Sequence, residues 1–156
     1  MEERLALQEA SALLADFFAQ TARMMGMDTN APYAAMEGLL KSADRPEDVP
    51  TVLPLFEGTR QDSTQTGSIT GLTAGNFTPL HLIYGMMDGM AHELHQMYQA
   101  YRAAGGTAKK LIGSGGGLRN NRFLCESFSR VFDSAIILSD GREEAACGAA
   151  LYAADR

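Results

Sequence analysis

The sequence has little of what marks several functional classes. Its only two cysteines, Cys125 and Cys147, match no metal-ligand spacing, and we expect them to be reduced thiols packed in helices. Basic residues number 13 against 19 acidic ones, which argues against a nucleic-acid partner. No apolar run is long enough to cross a membrane, and Met1-Glu2-Glu3 is the reverse of a secretion signal. We therefore expect a cytoplasmic protein without membrane contacts.

The chain is long enough, at 156 residues, for one domain with a real core, and it shows no internal repeat. Helical periodicity predicts a helix over residues 3–25, with Leu14, Phe17, Phe18 and Met25 on one apolar face. A shorter helix is expected after Pro32. A long third helix should cover residues 78–104, with its apolar stripe running from residue 80 to residue 101.

From residue 105 onward the pattern changes to alternating strands and helices. We expect a strand at 110–112, a glycine-rich turn at 113–117, a helix at 120–132 and a strand at 135–138. Asp140 and Glu143 form a capping-box pattern that predicts a last helix rich in small residues. This β-α-β-α order indicates an α/β domain whose neighbouring strands run in the same direction.

The glycine turn lies between a strand and a helix, where α/β sheets commonly bind nucleotides. Glycine lets the backbone approach a ligand closely. Leu118 replaces the third glycine of the dinucleotide fingerprint, and the Gly-Lys-Ser/Thr ending of a phosphate loop is absent. From the residues alone, a plain connecting loop and a ligand site both remain open.

Four segments, taken together and in this order, resemble the FGGY family of carbohydrate kinases. They are residues 54–60 (PLFEGTR) with 67–72 (GSITGL), residues 88–91 (DGMA), residues 115–121 (GGGLRNN) and residues 140–150 (DGREEAACGAA). Thr59 and Asp88 depart from the glutamates that are commoner in the family. The Gly-Thr-Arg variant at 58–60, Asn-Phe-Thr-Pro at 76–79 and Gly-Ser-Gly at 113–115 look most like sedoheptulokinases. The resemblance covers about residues 10–154 and implies that 1–156 is a single domain, a C-terminal lobe fragment.

The family resemblance implies a partial ribonuclease-H-like lobe of the actin/hexokinase ATPase type, with a small sheet packed by helices. It also implies that Gly116 and Asn120 contact adenosine of ATP or ADP, and that Gly115 and Gly117 shape the turn. Asn120 has a structural alternative as a simple helix cap. By the same resemblance, the last helix meets its counterpart in the N-terminal lobe at a hinge. From sequence, a tightly packed core helix fits it nearly as well.

Two further groups of polar residues allow both a functional and a structural interpretation. The family resemblance places Arg60 in a loop facing the cleft between the lobes, where it would contact phosphate or sugar. A surface salt bridge is the commoner fate of such an arginine. His81, Asp88, His92 and His95 recur along one helical face, and we expect them to form a solvated polar face rather than a zinc site. We therefore assign no metal-binding residue.

No catalytic residue is assigned either, because the resemblance places the base, the first phosphate turn and most of the sugar site in a missing N-terminal lobe. Mg²⁺ ligands are expected mainly outside this chain. We therefore expect an inactive chain, either a truncated reading frame or an expressed fragment, whose open sheet edge invites a homodimer. The complete enzyme would phosphorylate a ketose. Sedoheptulose is the first substrate that we expect, and xylulose or a related ketose is the second. The alternative is a non-catalytic α/β remnant that binds a protein partner.

Overall fold

A computed structural model describes residues 3–27, 31–59, 62–108 and 110–139, with side chains from residue 10 onward. Arg60, Cys147 and the expected last helix with its capping box lie outside the described residues. Five helices and four strands occupy the described ranges. The helices are α1 (Glu3–Met24), α2 (Pro32–Ser42), α3 (Pro79–Ala103), α4 (Gly116–Asn120) and α5 (Arg122–Val131); the strands are β1 (Thr51–Leu53), β2 (Ser68–Thr70), β3 (Leu111–Gly113) and β4 (Ile136–Leu138).

The described strands form two separate two-stranded sheets. β1 pairs with β2 in antiparallel fashion, with Val52 opposite Ile69. β3 and β4 are parallel, with Ile112 opposite Ile137, and the chain crosses between them through α4 and α5. The α/β class is confirmed, and so is the prediction that neighbouring strands in the second half run in the same direction.

Helix α3 is the centre of the core. Thr78 precedes it as the sequence predicted, and its hydroxyl accepts a hydrogen bond from the backbone N–H of His81. Residues 82–91 of α3 are all buried, because α1, α2, β1 and α5 pack around this half of the helix. The predicted apolar stripe is wrong beyond this point. Met97 and Tyr101 are exposed, as are most side chains of the second half of α3.

The contact between α3 and β1 depends on two glycines. A Cβ atom on Gly89 would lie 2.3 Å from the carbonyl oxygen of Val52, and one on Gly85 would lie 2.8 Å from that of Pro50. Both distances are shorter than any real contact, so a side chain at either position would push the strand away from the helix. The glycine in the segment Asp88-Gly89-Met90-Ala91 therefore has a packing role.

Helix α1 buries only part of the predicted face: Leu14 lies in the core and Phe18 packs against it. Ala15 and Ala19 lie in the core beside Leu14, whereas Phe17 is exposed over 51% of its surface. Met25, just past the helix, is exposed as well. The expectation that Phe17 and Met25 lie on the buried face is wrong, because α1 packs against α2 and α3 through the side that carries Leu14, Ala15 and Ala19.

Candidate functional site

The glycine turn follows β3 and bends sharply into α4. Gly115 precedes α4 with φ 96° and ψ 156°, a conformation that residues with a side chain rarely adopt. Gly115 itself is buried, while Gly116 and Gly117 are exposed in the first turn of α4. The sequence-predicted residues 115–117 thus bring a bare stretch of backbone to the surface at the end of a strand.

The space in front of this backbone is open. A Cβ atom on Gly116 would meet nothing closer than the Asn120 side-chain nitrogen at 3.7 Å, and one on Gly117 nothing closer than Leu124 at 4.0 Å. These are ordinary van der Waals distances, unlike the clashes at Gly85 and Gly89. The fold therefore does not itself require glycine at residue 116, and a flat ligand can approach the main chain there.

The predicted helix over residues 120–132 is broken into two. Helix α4 ends at Asn120, and Asn121 is the N-cap of α5, where its Oδ1 accepts a hydrogen bond of 3.2 Å from the backbone N–H of Leu124. The alternative reading of Asn120 as a simple cap is therefore wrong, because its neighbour has that role. Asn120 is exposed, and no hydrogen bond engages its amide within the described part of the chain.

A groove of ≈ 850 Å³ lies between the glycine turn and the helices. Its size falls within the range of about 300–1,000 Å³ that is typical of small-molecule sites. The glycine turn and the α4–α5 corner form one wall, and the first three helices form the other. The lining residues are Ser11, Ala12, Leu14, Tyr33, Met36, Glu37, Leu40, Ile83, Met86, Met87, Met90, Leu94, Ser114, Gly115, Gly116, Gly117, Leu118, Asn120, Asn121, Leu124 and Phe128.

Methionine is the commonest residue on the helical wall of the groove, a feature that was missed from the sequence. Met86, Met87 and Met90 are buried core residues and also line the groove, together with Met36 from α2. Thioether side chains adapt their shape and make favourable contacts with aromatic rings. The only signal in the sequence was the close spacing of three methionines on α3, which core packing explains equally well.

A smaller hollow of ≈ 290 Å³ adjoins the groove on the other side of Asn120 and Asn121. Glu37 and Lys41 of α2 form an exposed ion pair of 2.5 Å at its edge. Cys125 also lines it, and its thiol donates a hydrogen bond of 2.9 Å to the carbonyl of Leu118. Burial, with a smaller contribution from the Glu126 charge, raises the pKa of the Cys125 thiol. The thiol is therefore free and protonated, as expected for a packing cysteine.

Asp88 does not belong to a solvated face, as the sequence had suggested, because it is buried between two arginines. Its carboxylate accepts hydrogen bonds of 2.5 and 3.3 Å from Arg45, which precedes β1, and another from Arg130 of α5. Arg45 also stacks over the ring of Tyr84, 4.7 Å from its centre. The carboxylate thus joins α3, α5 and the chain before β1.

The histidines near Asp88 differ from one another. His81 is largely buried and lies 3.1 Å from Asp48, whereas His92 is exposed. His95 packs edge-on against Phe132 at 4.9 Å. Within the described ranges, no group of three or more histidine, cysteine, aspartate or glutamate side chains is placed to hold a metal ion.

The loop between β1 and β2 contains the other segment singled out by sequence. Gly58 and Thr59 are described on one side of Arg60, and the backbone N–H of Thr59 donates to the carbonyl of Asp62 at 2.9 Å. The Asp62 carboxylate accepts hydrogen bonds from the hydroxyl of Thr64 at 2.5 Å and from its N–H at 2.9 Å. These bonds, the hydroxyl first, lower the pKa of Asp62.

Comparison with known proteins places these features in a family. The model for the FGGY family of carbohydrate kinases, C-terminal domain, matches residues 6–155. A xylulose kinase of Bacillus subtilis (strain 168) is 29% identical over 93 residues, which are 60% of this chain and 18% of that protein. Among the helices of the described ranges, none is long and apolar enough to cross a membrane.

Two solved structures share the fold. A xylulose kinase from Rhodospirillum rubrum superimposes with a TM-score of 0.68 and 23% identity, over 84% of this chain and 25% of that one. A xyloylose kinase from Brucella ovis superimposes with a TM-score of 0.63 and 21% identity, over 83% of this chain and 26% of that one. The chain thus spans about a fifth to a quarter of the length of these relatives. It belongs to the FGGY family of carbohydrate kinases, whose C-terminal domain it matches over nearly its whole length.

Proposed function

We propose that this chain supplies the adenosine-binding side of an ATP-dependent ketose kinase. The observation that carries the proposal is the groove, where bare backbone at Gly116 and Gly117 lies in one wall and a largely apolar helical wall with four methionine side chains forms the other. A purine ring needs two apolar surfaces a few ångströms apart, and a glycine backbone and thioether side chains provide them. The ring would lie along Gly116 and against Met87 or Met90.

Asn120 is the polar group best placed to select the base. It lines the groove, it is exposed, and Asn121 rather than Asn120 caps the following helix. An amide both donates and accepts hydrogen bonds, so it complements the adenine edge, which carries an amino donor beside a ring acceptor. Asn120 is proposed as the adenine contact, with Gly115 and Gly117 holding the turn in shape.

The sugar substrate of the whole enzyme is proposed to be a ketose. The named relatives are xylulose kinases, which favours a five-carbon ketose. The Gly-Thr-Arg segment at 58–60 and the Asn-Phe-Thr-Pro segment at 76–79 favour sedoheptulose instead. Arg60 is proposed to face the sugar or the transferred phosphate from the loop in which the Asp62 carboxylate holds Thr64.

Alone, the chain is proposed to be inactive. Phosphoryl transfer needs a base for the acceptor hydroxyl and carboxylates for Mg²⁺. Asp88 is engaged by two arginines and Glu37 is paired with Lys41, so neither carboxylate is placed for these roles. The loss of a general base alone typically costs about 10²–10⁴-fold in rate. In the proposed enzyme a second lobe supplies the base, most of the sugar site and the metal ligands.

Titration of the ¹⁵N-labelled chain with ATP, ADP and GTP tests the proposal. Saturable amide shifts centred on residues 113–121, larger for adenine than for guanine nucleotides, are the expected result. Loss of one lobe weakens binding without moving the site, so the titration should extend to about millimolar nucleotide, where even a weak complex is populated. Shifts centred elsewhere, or none at all, would remove the support for an adenosine site in this chain.

Replacement of Gly116 by valine separates the site from the fold. The branched side chain would fill the space along the groove, so nucleotide shifts should disappear while the circular dichroism spectrum is retained. Gly38→Val is the matched control, because Gly38 is likewise a helical glycine where an added Cβ meets no clash, and it does not line the groove. A Gly116→Val variant that binds ATP as the parent does would show that the base lies elsewhere.

A further inference from the structure

Helix α1 carries an apolar stripe on its outer side that the proposed kinase function does not use. Leu13, Phe17 and Met24 are exposed over 47%, 51% and 81% of their surfaces. Positions 13, 17, 20 and 24 fall within one narrow strip of a helix with 3.6 residues per turn, next to Leu14 and on the side away from the buried Ala15 and Ala19. Gln20 lies in the middle of the strip and is also exposed.

Two opposite charges flank this stripe on one side. Asp16 and Arg23 are both exposed and lie seven residues apart, so they occupy the same edge of the helix two turns from each other. Gln20 lies between them, and its side-chain amide donates a hydrogen bond of 2.6 Å to Asp16. This edge of α1 therefore carries a negative charge toward the N-terminus and a positive charge toward the C-terminus.

We propose that the outer stripe of α1 is the contact surface for a second copy of this chain, packed antiparallel about a two-fold axis between residues 19 and 20. Two-fold contacts require a self-complementary surface. In antiparallel helix pairs the same edges face each other, so Asp16 meets the partner's Arg23 and Arg23 meets the partner's Asp16. Phe17 packs in the space between the partner's Gln20 and the partner's Met24.

The charge order selects this arrangement over its alternatives. In a parallel pair, the charged edge of one helix would face the uncharged edge of the other, and neither ion pair would form. A partner protein or a second kinase lobe could cover the apolar stripe, but it would have no need for the self-complementary placement of Asp16 and Arg23. The inference goes beyond the proposed function, because no groove residue takes part in the contact.

Sedimentation equilibrium of the 156-residue chain tests the proposal. A reversible monomer–dimer equilibrium is expected, and Asp16→Arg and Arg23→Asp should each weaken dimerisation about tenfold, because each replaces two attractive pairs by two repulsive ones. An equimolar mixture of the two variants should associate at least as tightly as the parent, and the double variant D16R/R23D should regain parental affinity. Arg102→Asp, a charge change on the exposed end of α3, is the control.

Phe17→Asp should abolish the dimer, because it buries a charge in the centre of the contact. A chain that stays monomeric up to about 1 mM would overturn the proposal, since a specific contact of this kind is populated at that concentration. A dimer that persists unchanged in the charge variants would overturn it too, because the contact would then lie on another surface. Nucleotide titration of the same variants should be unchanged, so the two proposals fail separately.

Discussion

The two short sheets of the molecule meet the rest of the chain in opposite ways. β1 lies so close to α3 that Gly85 and Gly89 have no room for a Cβ atom, and Val52 is buried between them. On the parallel pair, Ile112 and Ile137 stand 68% and 49% exposed, and the turn that follows β3 opens onto a groove. Glycine thus allows a strand to pack closely on a helix in one region, and it leaves the backbone accessible from a groove in the other.

The polar residues follow the same division. Asp88, beside the first sheet, is fixed by two arginines from different parts of the chain. Asn120, beside the second, has an amide with no hydrogen-bond partner in the described ranges. Saturated groups hold a fold together, whereas a group with unused donors and acceptors can bind a ligand. The division therefore separates scaffold from candidate site.

Replacement of Gly89 by alanine should give the largest effect. The added methyl would lie 2.3 Å from the carbonyl oxygen of Val52, and moving the strand would disturb the buried half of α3. We expect the free energy of unfolding to fall by about 3 kcal/mol or more, measured by urea denaturation.

Gly38→Ala is the control for that experiment, because the same change on α2 meets nothing within 4 Å. Alanine favours a helix over glycine by about 0.5–1 kcal/mol, so this variant should be more stable than the parent. Equal effects at residues 38 and 89 would show that β1 does not press on α3.

Asp88→Asn should have the next largest effect. The amide cannot balance the charges of Arg45 and Arg130, which would be left close together on the same side of α3. Because both arginines are partly exposed, we expect a loss of about 2 kcal/mol rather than the 3–5 kcal/mol of a fully buried pair.

Glu37→Gln breaks an exposed ion pair on α2 and should change the free energy of unfolding by less than about 0.5 kcal/mol. If Asp88→Asn were equally mild, Asp88 would be an ordinary surface charge, as its sequence pattern had suggested.

Local sequence signals predicted most of the elements but not their burial. Thr78 before Pro79 marked the start of α3, because capping is decided by neighbouring residues. The side of α1 that faces the core was mispredicted at Phe17, because alanines at residues 15 and 19 suit close helix packing as well as larger side chains do. Which face is covered depends on α2 and α3, and periodicity within one helix does not contain that information.

The candidate site shows the same limit. The glycines of the turn could be identified by their position after a strand, and Gly115 does adopt a backbone conformation that suits glycine. The break between α4 and α5 was missed, because Asn120 and Asn121 are equally good caps in sequence and only the structure shows which one caps. The methionines of the groove were missed because three closely spaced methionines on α3 are explained equally well by core packing.

Alanine replacements of the two adjacent asparagines should separate the scaffold from the site. Asn121→Ala removes the cap of α5 and should lower the free energy of unfolding by about 1 kcal/mol. Asn120→Ala should leave stability nearly unchanged and weaken ATP binding several-fold, measured by the same amide titration. The reverse pattern would assign the structural role to Asn120 and contradict its place in the proposed site.

The smallest expected effect is a pH-dependent change in the loop after β1. It shows whether the tightly held region around the first sheet, here called the fixed region, extends into that loop. Hydrogen bonds from Thr64 hold the pKa of Asp62 below its ordinary value of 3.8, so the ionised form is favoured in the folded chain. The sign follows directly: these bonds stabilise the loop fully above the ordinary pKa and are lost as the pH falls through the lowered pKa. The amide signal of Thr64 should therefore shift below about pH 4.

Thr64→Val removes the hydroxyl that is the larger cause of the lowered pKa of Asp62. The midpoint of the pH titration, followed at the amide of residue 64, should then move upward toward the ordinary aspartate value. Thr59→Val is a useful comparison, because the Thr59 hydroxyl contacts the backbone of Asp62 rather than its carboxylate. If the midpoint were the same in all three proteins, the loop would not be held by the Asp62 side chain, and the fixed region would end at β1.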